Sequence, residues 1–501
     1  MTTSDTGVQL LEGSQAVAQA ISRARPGVVC AYPISPQTHI VEALSAAVRK
    51  GTLPHCEYIN VESEFAAMSV AIGSSAAGAR TYTATASQGL LYMAEAVYNA
   101  AGLGLPIVMT VASRAIGSPI NIWNDHSDSL SQRDSGWLQL FAADNQEAVD
   151  LHIQAFAIAE ELRLPVMVCM DGFVLTHALE LVDIPSQDAV DAFLPPASDI
   201  HAEMDVATPG TVGTMAGPDI FTETKYVSYQ QHVAAHDVVE KWGQRWFDTF
   251  GRDAGGLVRL YETSDDGVVG GTKVPAASGK VRGCDPNEIV VIAMGSTLGT
   301  MQAVLPELAD EGIRVRLVGI TSFRPFPDAL LREVIGQARR VVVIDRAVQL
   351  GIGGVLTGEI RRALYDSGAS VHPVAAGLGG RPITEKSLAE LVRQASRGEL
   401  DVHLNWMDLR HDVVDAAVEA SARATAEGVG SAAAAMAEGD SGRPVQRAER
   451  VTVETPADDS GRPGQRAQRA TVETPADDSG RLSQRAERAT VETPANQETE
   501  K

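Results

Sequence analysis

Two separate stretches of strand–helix alternation constrain this chain more than any other feature. Short, β-rich apolar runs at 28–32, 81–86, 106–112 and 165–171 are separated by helical stretches at 13–24, 38–49, 63–77, 89–102 and 146–162. A second series predicts strands at 288–294, 315–320, 340–345 and 371–376, with helices at 300–309, 328–338, 354–367 and 385–395. Alternation of this kind implies mainly parallel sheets covered on both faces. The expected fold class is therefore α/β, in two parallel-sheet domains at 1–185 and 285–420. In such sheets ligands gather at the carboxyl ends of the strands, so the loops after the strands are where chemistry is sought.

The connection at 186–284 is rich in Pro, Gly, Asp and Thr and reads as irregular, with one helix expected within 228–247 from Val233, Val238, Val239 and Trp242. The end, 421–501, carries three near-copies at 442–460, 461–479 and 480–496. Units this polar and short have no core to bury, and a disordered tail is expected.

The formal net charge of -23 argues against a nucleic-acid partner, which would favour a basic face. No basic, then apolar, leader opens the sequence, and no apolar run approaches the roughly 18 residues of a membrane span; a cytoplasmic protein without a membrane partner is expected. The four cysteines, Cys30, Cys56, Cys169 and Cys284, form no C-x-x-C pair. Their spacing offers no iron–sulfur or zinc ligand set, and buried free thiols are expected at Cys30 and Cys169.

Five segments at strand ends or helix starts carry polar chemistry. Tyr32-Pro33-Ile34-Ser35-Pro36 holds Ser35 between two prolines that fix φ, although alone it is an ordinary rigid turn. Val61-Glu62-Ser63-Glu64 opens a helix, whose dipole favours the carboxylates; capping serves for Glu62. Glu64, heading a helix of small apolar residues, is expected in a dry interface, fit for proton exchange with a bound heterocycle. Thr85-Ala86-Ser87-Gln88-Gly89 closes a strand and opens a helix whose free N–H groups suit a polar ligand. Arg114, after the strand at 106–112, suits a planar carboxylate, the bland alternative being a salt-bridged surface arginine. The stretch 121–136 is dense in polar and aromatic groups, and within it His126 is expected to be structural, between Asp125 and Asp128.

Together these motifs fall on one sheet. The series resembles the α subunit of pyruvate and related 2-oxoacid:ferredoxin oxidoreductases over about 7–415, most closely over 28–145. By that resemblance, 1–185 is the pyrimidine-binding domain of a thiamine-diphosphate enzyme and 285–420 is similar to a transketolase C-terminal domain. The markers of the latter are Gly295-Ser296-Thr297, Phe323-Arg324-Pro325-Phe326-Pro327 and Gly377-Leu378-Gly379-Gly380-Arg381. Gly351-Ile352-Gly353-Gly354 is a lone glycine cluster, better explained by close helix–strand packing than by a dinucleotide.

The resemblance implies that Glu64 hydrogen-bonds the aminopyrimidine of thiamine diphosphate, favouring the tautomer that deprotonates the thiazolium carbon. Arg114 and Ser35 would hold the substrate carboxylate, Asn124 would add a substrate contact, and Thr85, Ala86, Ser87, Gln88 and Gly89 would line the cofactor pocket. The family often has Thr where this chain has Ser35. The implied reaction is oxidative decarboxylation of pyruvate to acetyl-CoA and carbon dioxide, with coenzyme A as co-substrate and ferredoxin as acceptor.

No Gly-Asp-Gly diphosphate motif occurs. The resemblance therefore implies a shared cofactor site, with Mg²⁺ and iron–sulfur clusters held by partners. These are a β subunit carrying the diphosphate domain, then γ and ferredoxin-like δ modules. Two alternatives stand beside pyruvate oxidation. One is the same chemistry on 2-oxoglutarate or a branched-chain or aryl 2-oxoacid. The other is a non-catalytic assembly paralogue, against which the joint presence of Glu64 and Arg114 speaks.

Overall fold

The computed structural model describes residues 7–197, 200–264, 267–268, 272–273 and 284–426. The first sheet has seven strands, in the order Ser322–Arg324, Leu138–Phe141, Val166–Asp171, Ile107–Ser113, Thr81–Thr85, Val28–Ala31 and Glu57–Asn60. All pair in parallel except Ser322–Arg324. The strands Thr81–Thr85, Ile107–Ser113 and Val166–Asp171 are buried at every position. Burial on both faces is why their sequences read as continuous apolar runs.

The second sheet is centred on four parallel strands, Val315–Ile320, Ile289–Ala293, Arg340–Asp345 and Ser370–Ala375. An antiparallel strand, Val258–Ser264, closes one side. The α/β class expected from the alternation is the observed one.

Local chemistry fixes the helix ends. Asp144 caps Asn145–Leu162 by accepting from Glu147 N at 2.7 Å, while Glu147 Oε2 accepts from Ala143 N at 2.8 Å. This reciprocal pattern satisfies two otherwise orphan donors. Ser63 caps Glu64–Ala76 through Ala66 N at 3.2 Å; the cap is thus Ser63 and not Glu62. Between elements, the buried Arg80 guanidinium forks onto Glu160 at 2.6 and 2.9 Å and reaches the carbonyls of Ala24 and Pro195 at 2.7 Å. A charge this deep is tolerable because its donors are matched.

Several features differ from the sequence expectations, among them the strands Leu138–Phe141 and Val258–Ser264 and the short helix Gln187–Phe193, none of which was expected. Gly7–Glu12 and Leu179–Ile184 form an antiparallel ribbon, unreadable in the sequence because its apolar residues Val8, Leu10, Leu179 and Leu181 face outward. Glu57–Asn60 is a short edge strand with no buried position. The helix expected at 89–102 is broken at Met93, into Ser87–Tyr92 and Ala94–Gly102. Phe221–Phe250 is one helix of 30 residues, longer than the expected segment, because only Ala235, Val239, Trp242, Gly243 and Trp246 are buried and its first turns carry no apolar stripe to read.

The helix His411–Ala426 runs past position 421. The tandem repeats expected to be disordered lie outside the described residues. The four cysteines are buried and form no disulfide among the described residues. Among the described residues, no helix is long and apolar enough to cross a membrane.

Candidate functional site

The carboxyl ends of the parallel strands place the predicted loops side by side. Glu64 is the first residue of its helix and only 8% exposed. Among the described residues its carboxylate has no hydrogen-bond partner. A Cβ built on Gly89 would lie 2.6 Å from Glu64 Oε1 and 2.7 Å from Thr85 Oγ1. The acid and the hydroxyl therefore converge on one glycine. Thr85 Oγ1 is itself buried without a partner. Buried polar atoms left open cost stability unless something bonds them, so the pair forms one wall of a site for a polar, hydrogen-bonding ligand.

The loop between them is closed on itself. Ala86 stands in extended conformation ahead of the short helix Ser87–Tyr92. Ser87 Oγ donates to Ala115 O at 2.6 Å, and the Gly89 N–H donates to Ala86 O at 3.0 Å. Ser87 N donates to Asp128 Oδ2 at 2.8 Å. The free N–H groups expected here are thus partly taken by the protein. Gln88 reaches the next loop, where a Cβ on Gly117 would lie 2.7 Å from Gln88 Nε2.

Arg114 is buried and has no ion pair, contrary to the bland alternative for it. Its Nη1 donates to Ser35 O at 2.9 Å and its Nε to Asn121 O at 3.2 Å. Among the described residues Nη2 remains uncommitted. Burial pulls the guanidinium below its ordinary value, and Asp128 opposes this. Ser35 meets Arg114 through its carbonyl, not its hydroxyl. Asn124 is buried with Nδ2 unpartnered, and no hydrogen bond joins it to Arg114 or Ser35.

Asp128 is the residue the sequence reading missed. One oxygen accepts from both Ser87 N (2.8 Å) and Arg114 N (2.9 Å), and the other from Ser129 N (2.6 Å). A single carboxylate therefore pins the two loops that carry Thr85–Gly89 and Arg114. Burial pushes its pKa up to about 7, against the three N–H donors. Its partners lie 41 and 14 residues away in sequence and are backbone groups, so no motif announced it.

His126 is buried, and the hydrogen-bond partner of its ring is neither Asp125 nor Asp128. His126 Nε2 meets Asp171 Oδ1 at 2.8 Å. Asp171 Oδ2 accepts from Arg346 Nη1 at 2.6 Å and from Ser296 N at 2.8 Å. Burial pushes the Asp171 carboxyl up, yet the Arg346 and His126 charges hold it well below the usual range. Asp125 instead accepts from Ser127 N (2.9 Å) and Gly379 N (3.1 Å).

The second domain's motifs are the contacts that grip this site. Gly295 has φ 67°, and a Cβ there would lie 2.9 Å from Asp171 Oδ2. Asn121 Nδ2 donates to Gly379 O at 3.1 Å, and a Cβ on Gly380 would lie 2.3 Å from Trp123 Cβ. Ser322–Arg324 joins the first sheet, with Phe323 against Phe141 at 6.2 Å. Of the glycines at 351, 353 and 354, Gly354 serves packing, since a Cβ there would overlap the Asp345 carboxylate, whereas Gly351 and Gly353 adopt positive φ in open space. Asp345 accepts from Leu356 N at 2.7 Å and fills the start of Val355–Ala363, where a dinucleotide phosphate would otherwise sit.

A parallel α/β sheet with an open acid, hydroxyl and glycine at its strand ends, and an arginine fork beside them, defines one half-site of a cofactor-dependent enzyme acting on a carboxylate. Residues 19–244 match the family model for pyruvate flavodoxin/ferredoxin oxidoreductase, thiamine diphosphate-binding, and 287–388 match pyruvate:ferredoxin oxidoreductase core domain II. The pyruvate synthase subunit PorA of Methanosarcina barkeri is 42% identical over 415 residues, covering 81% of this chain and 97% of that protein. The ketoisovalerate oxidoreductase subunit VorA of Pyrococcus abyssi is 36% identical, covering 80% of this chain and 98% of that one. Among solved structures, a 2-oxoglutarate:ferredoxin oxidoreductase from Magnetococcus marinus shares the fold, with TM-score 0.56 and 18% identity over 79% of this chain and 66% of that one. The chain belongs to the pyruvate:ferredoxin oxidoreductase family.

Proposed function

We propose that this chain is the α subunit of a cytoplasmic 2-oxoacid:ferredoxin oxidoreductase that converts pyruvate and coenzyme A to acetyl-CoA and carbon dioxide. The observation that carries the reading is the unpartnered Glu64 carboxylate facing Gly89 and the unpaired Thr85 hydroxyl. These groups fit the aminopyrimidine end of thiamine diphosphate, which offers both a donor and an acceptor. Bound there, the cofactor would supply a nucleophilic carbon and an electron sink for decarboxylation.

The chain's own contribution is positioning and proton handling. The Glu64 carboxylate is buried beside the pocket and placed to hydrogen-bond the cofactor's pyrimidine and exchange a proton with it. Gly89 leaves room for the ring edge that a Cβ would fill. Arg114 offers Nη2 to the substrate carboxylate, a charge-assisted bond stronger than a neutral one. Asn124 Nδ2 and the Ser35 hydroxyl add polar contacts, and Ala86, Ser87 and Gln88 shape the pocket wall.

With no Gly-Asp-Gly motif in this chain, a β subunit is proposed to hold the diphosphate through Mg²⁺ and to carry an iron–sulfur cluster. Phe65, Tyr92 and Trp123 are exposed near the site, an apolar rim that suits such a partner. Further γ and ferredoxin-like δ modules would carry electrons to ferredoxin. A branched-chain 2-oxoacid is the second reading, favoured by the relatives named ketoisovalerate oxidoreductase.

The test is 2-oxoacid-dependent viologen reduction by the anaerobically co-purified complex, with pyruvate, 2-oxoglutarate and 2-oxoisovalerate compared and each cofactor omitted in turn. Turnover on pyruvate that Glu64→Ala abolishes is expected. Turnover indifferent to Glu64 would remove it from the mechanism. No turnover on any 2-oxoacid, with clusters intact, would favour the assembly paralogue.

A further inference from the structure

Outside the site just described, one group of side chains is arranged for a ligand that nothing above uses. Glu12 ends the strand Gly7–Glu12, His39 lies in the first turn of Thr38–Arg49, and His177 follows the strand Val166–Asp171. One ligand atom from each of the three lies within 4.8 Å of the others. A tetrahedral ion with bonds near 2.1 Å holds its ligand atoms about 3.4 Å apart, so small side-chain adjustments suffice to converge them.

The surroundings prepare the histidines. Phe173 N donates to Thr176 Oγ1 at 2.8 Å, and the same hydroxyl meets His177 Nδ1 at 2.7 Å. A His177 Nδ1–H bonded to Thr176 leaves Nε2 as the free base, the outer-shell arrangement that orients metal-ligating imidazoles. Thr176 is the one hydrogen-bond partner of the His177 ring among the described residues. His39 Nδ1 is 2.6 Å from Glu12 Oε1. The two imidazole rings lie 4.8 Å apart, and Phe173 closes the far side of His177 at 4.8 Å. A Glu12–His39 ion pair alone accounts for two of the three groups. It does not account for a second imidazole held against the first in a fixed orientation.

We propose that Glu12, His39 and His177 form a three-ligand site for a transition-metal dication, Zn²⁺ by its ligand set. Two imidazoles and one carboxylate suit zinc and its neighbours; Mg²⁺ and Ca²⁺ prefer all-oxygen shells. The ion would bridge three elements, two of which already touch through the Gly13 N–Ala178 O and Ser14 N–Thr176 O hydrogen bonds. Two of them flank the substrate half-site. His39 follows the loop of Ser35 and Pro36, and a Cβ on Gly172 would lie 2.6 Å from Pro36 Cγ, so the His177 loop is already seated against the Ser35 loop. The ion would clip those loops together. Cysteine spacing gave no hint of it, because the ligands come from positions 12, 39 and 177.

The experiment is equilibrium dialysis of the chelator-treated, co-purified complex against buffered Zn²⁺ at micromolar free concentration, followed by elemental counting. Wild type is compared with His39→Ala/His177→Ala in the same complex, which cancels metal bound by partner subunits. One additional zinc per copy of this chain in the wild type is expected. Glu12→Gln, which keeps a hydrogen bond to His39, should weaken binding at least tenfold and serves if the double variant does not assemble. Equal zinc content in wild type and Glu12→Gln across the titration, or no zinc beyond that of the double variant, would overturn the site.

Discussion

Gly89→Ala tests the half-site at its tightest point. The new Cβ would meet Glu64 Oε1 at 2.6 Å, Thr85 Oγ1 at 2.7 Å and Glu64 Cγ at 2.9 Å, where ordinary contact begins at 3.4 Å. The difference, 3.4 − 2.6, asks the carboxylate to move by about 0.8 Å. A misplacement near 1 Å at a reacting group costs on the order of 100-fold in rate, or about 2.7 kcal/mol. The effect on stability should be smaller. Gly89 lies within a helix and has no positive φ, so alanine gains about 1 kcal/mol of helix preference against about 1–3 kcal/mol of overpacking.

The assay is pyruvate-dependent viologen reduction with thiamine diphosphate titrated, beside thermal denaturation. Gly73→Ala is the control: it sits in the same helix as Glu64, and its Cβ would meet nothing within 4 Å. Gly89→Ala should lose about 100-fold in kcat/KM with a near-native melting temperature, and Gly73→Ala should lose none. The decisive measurement is thiamine diphosphate affinity, which needs no turnover, in the double variant Glu64→Ala/Gly89→Ala beside the two single variants. If the methyl acts by displacing the carboxylate, it adds nothing once the carboxylate is gone, as expected of coupled neighbours. Losses that simply add would refute the reasoning, because Gly89 would then act on something other than Glu64.

Three further outcomes follow from named contacts. Asp128→Asn leaves at least one of the Ser87, Arg114 and Ser129 N–H groups facing an amide NH₂; it should destabilise by about 1–3 kcal/mol in chemical denaturation and raise the KM for pyruvate through the loosened Arg114 loop. Ser296→Ala removes one of the donors to Asp171 while leaving Arg346 and His126 in place, and should cost about 1–2 kcal/mol of stability without changing substrate preference, measured as the ratio of kcat/KM for pyruvate and 2-oxoisovalerate. His152 is fully buried, with Nδ1 on Ala148 O at 2.6 Å and Nε2 on Thr110 Oγ1 at 2.6 Å; burial lowers its pKa from 6.5 to about 4. Its contribution is therefore complete above about pH 6.5 and lost as pH falls towards 4, at up to about 1.4 kcal/mol per unit, and denaturation midpoints of His152→Leu should lack that part of the acid slope.

What the sequence made legible, and what it hid, has a physical pattern. The strands Thr81–Thr85, Ile107–Ser113 and Val166–Asp171 were readable because burial on both faces demands an unbroken apolar run. The ribbon Gly7–Glu12/Leu179–Ile184 pairs through backbone groups and turns Val8, Leu10, Leu179 and Leu181 outward while Val182 and Ile184 reach the core, so no single apolar face marks it in the sequence. The loops of Ser35, Glu64, Thr85–Gly89 and Arg114 were legible because each follows a strand or opens a helix, and a parallel sheet sends all such positions to one edge. Their mutual geometry was not, because it depends on partners with no side-chain signature. Ser35 engages Arg114 through a carbonyl, and Asp128 engages two loops through their N–H groups.

The same distinction explains the second domain. Its glycine-rich markers stood out as motifs, but the reason for the glycines lies in the first domain. Gly295 makes way for Asp171, Gly379 for Asn121 and Gly380 for Trp123. A side chain at any of the three would push against the loops that hold Asn124 and His126. The conformational demand is visible in one half of the sequence and its cause in the other. The second domain therefore supports the strand-end loops through these contacts, and the markers that carry Gly295, Gly379 and Gly380 belong to that support.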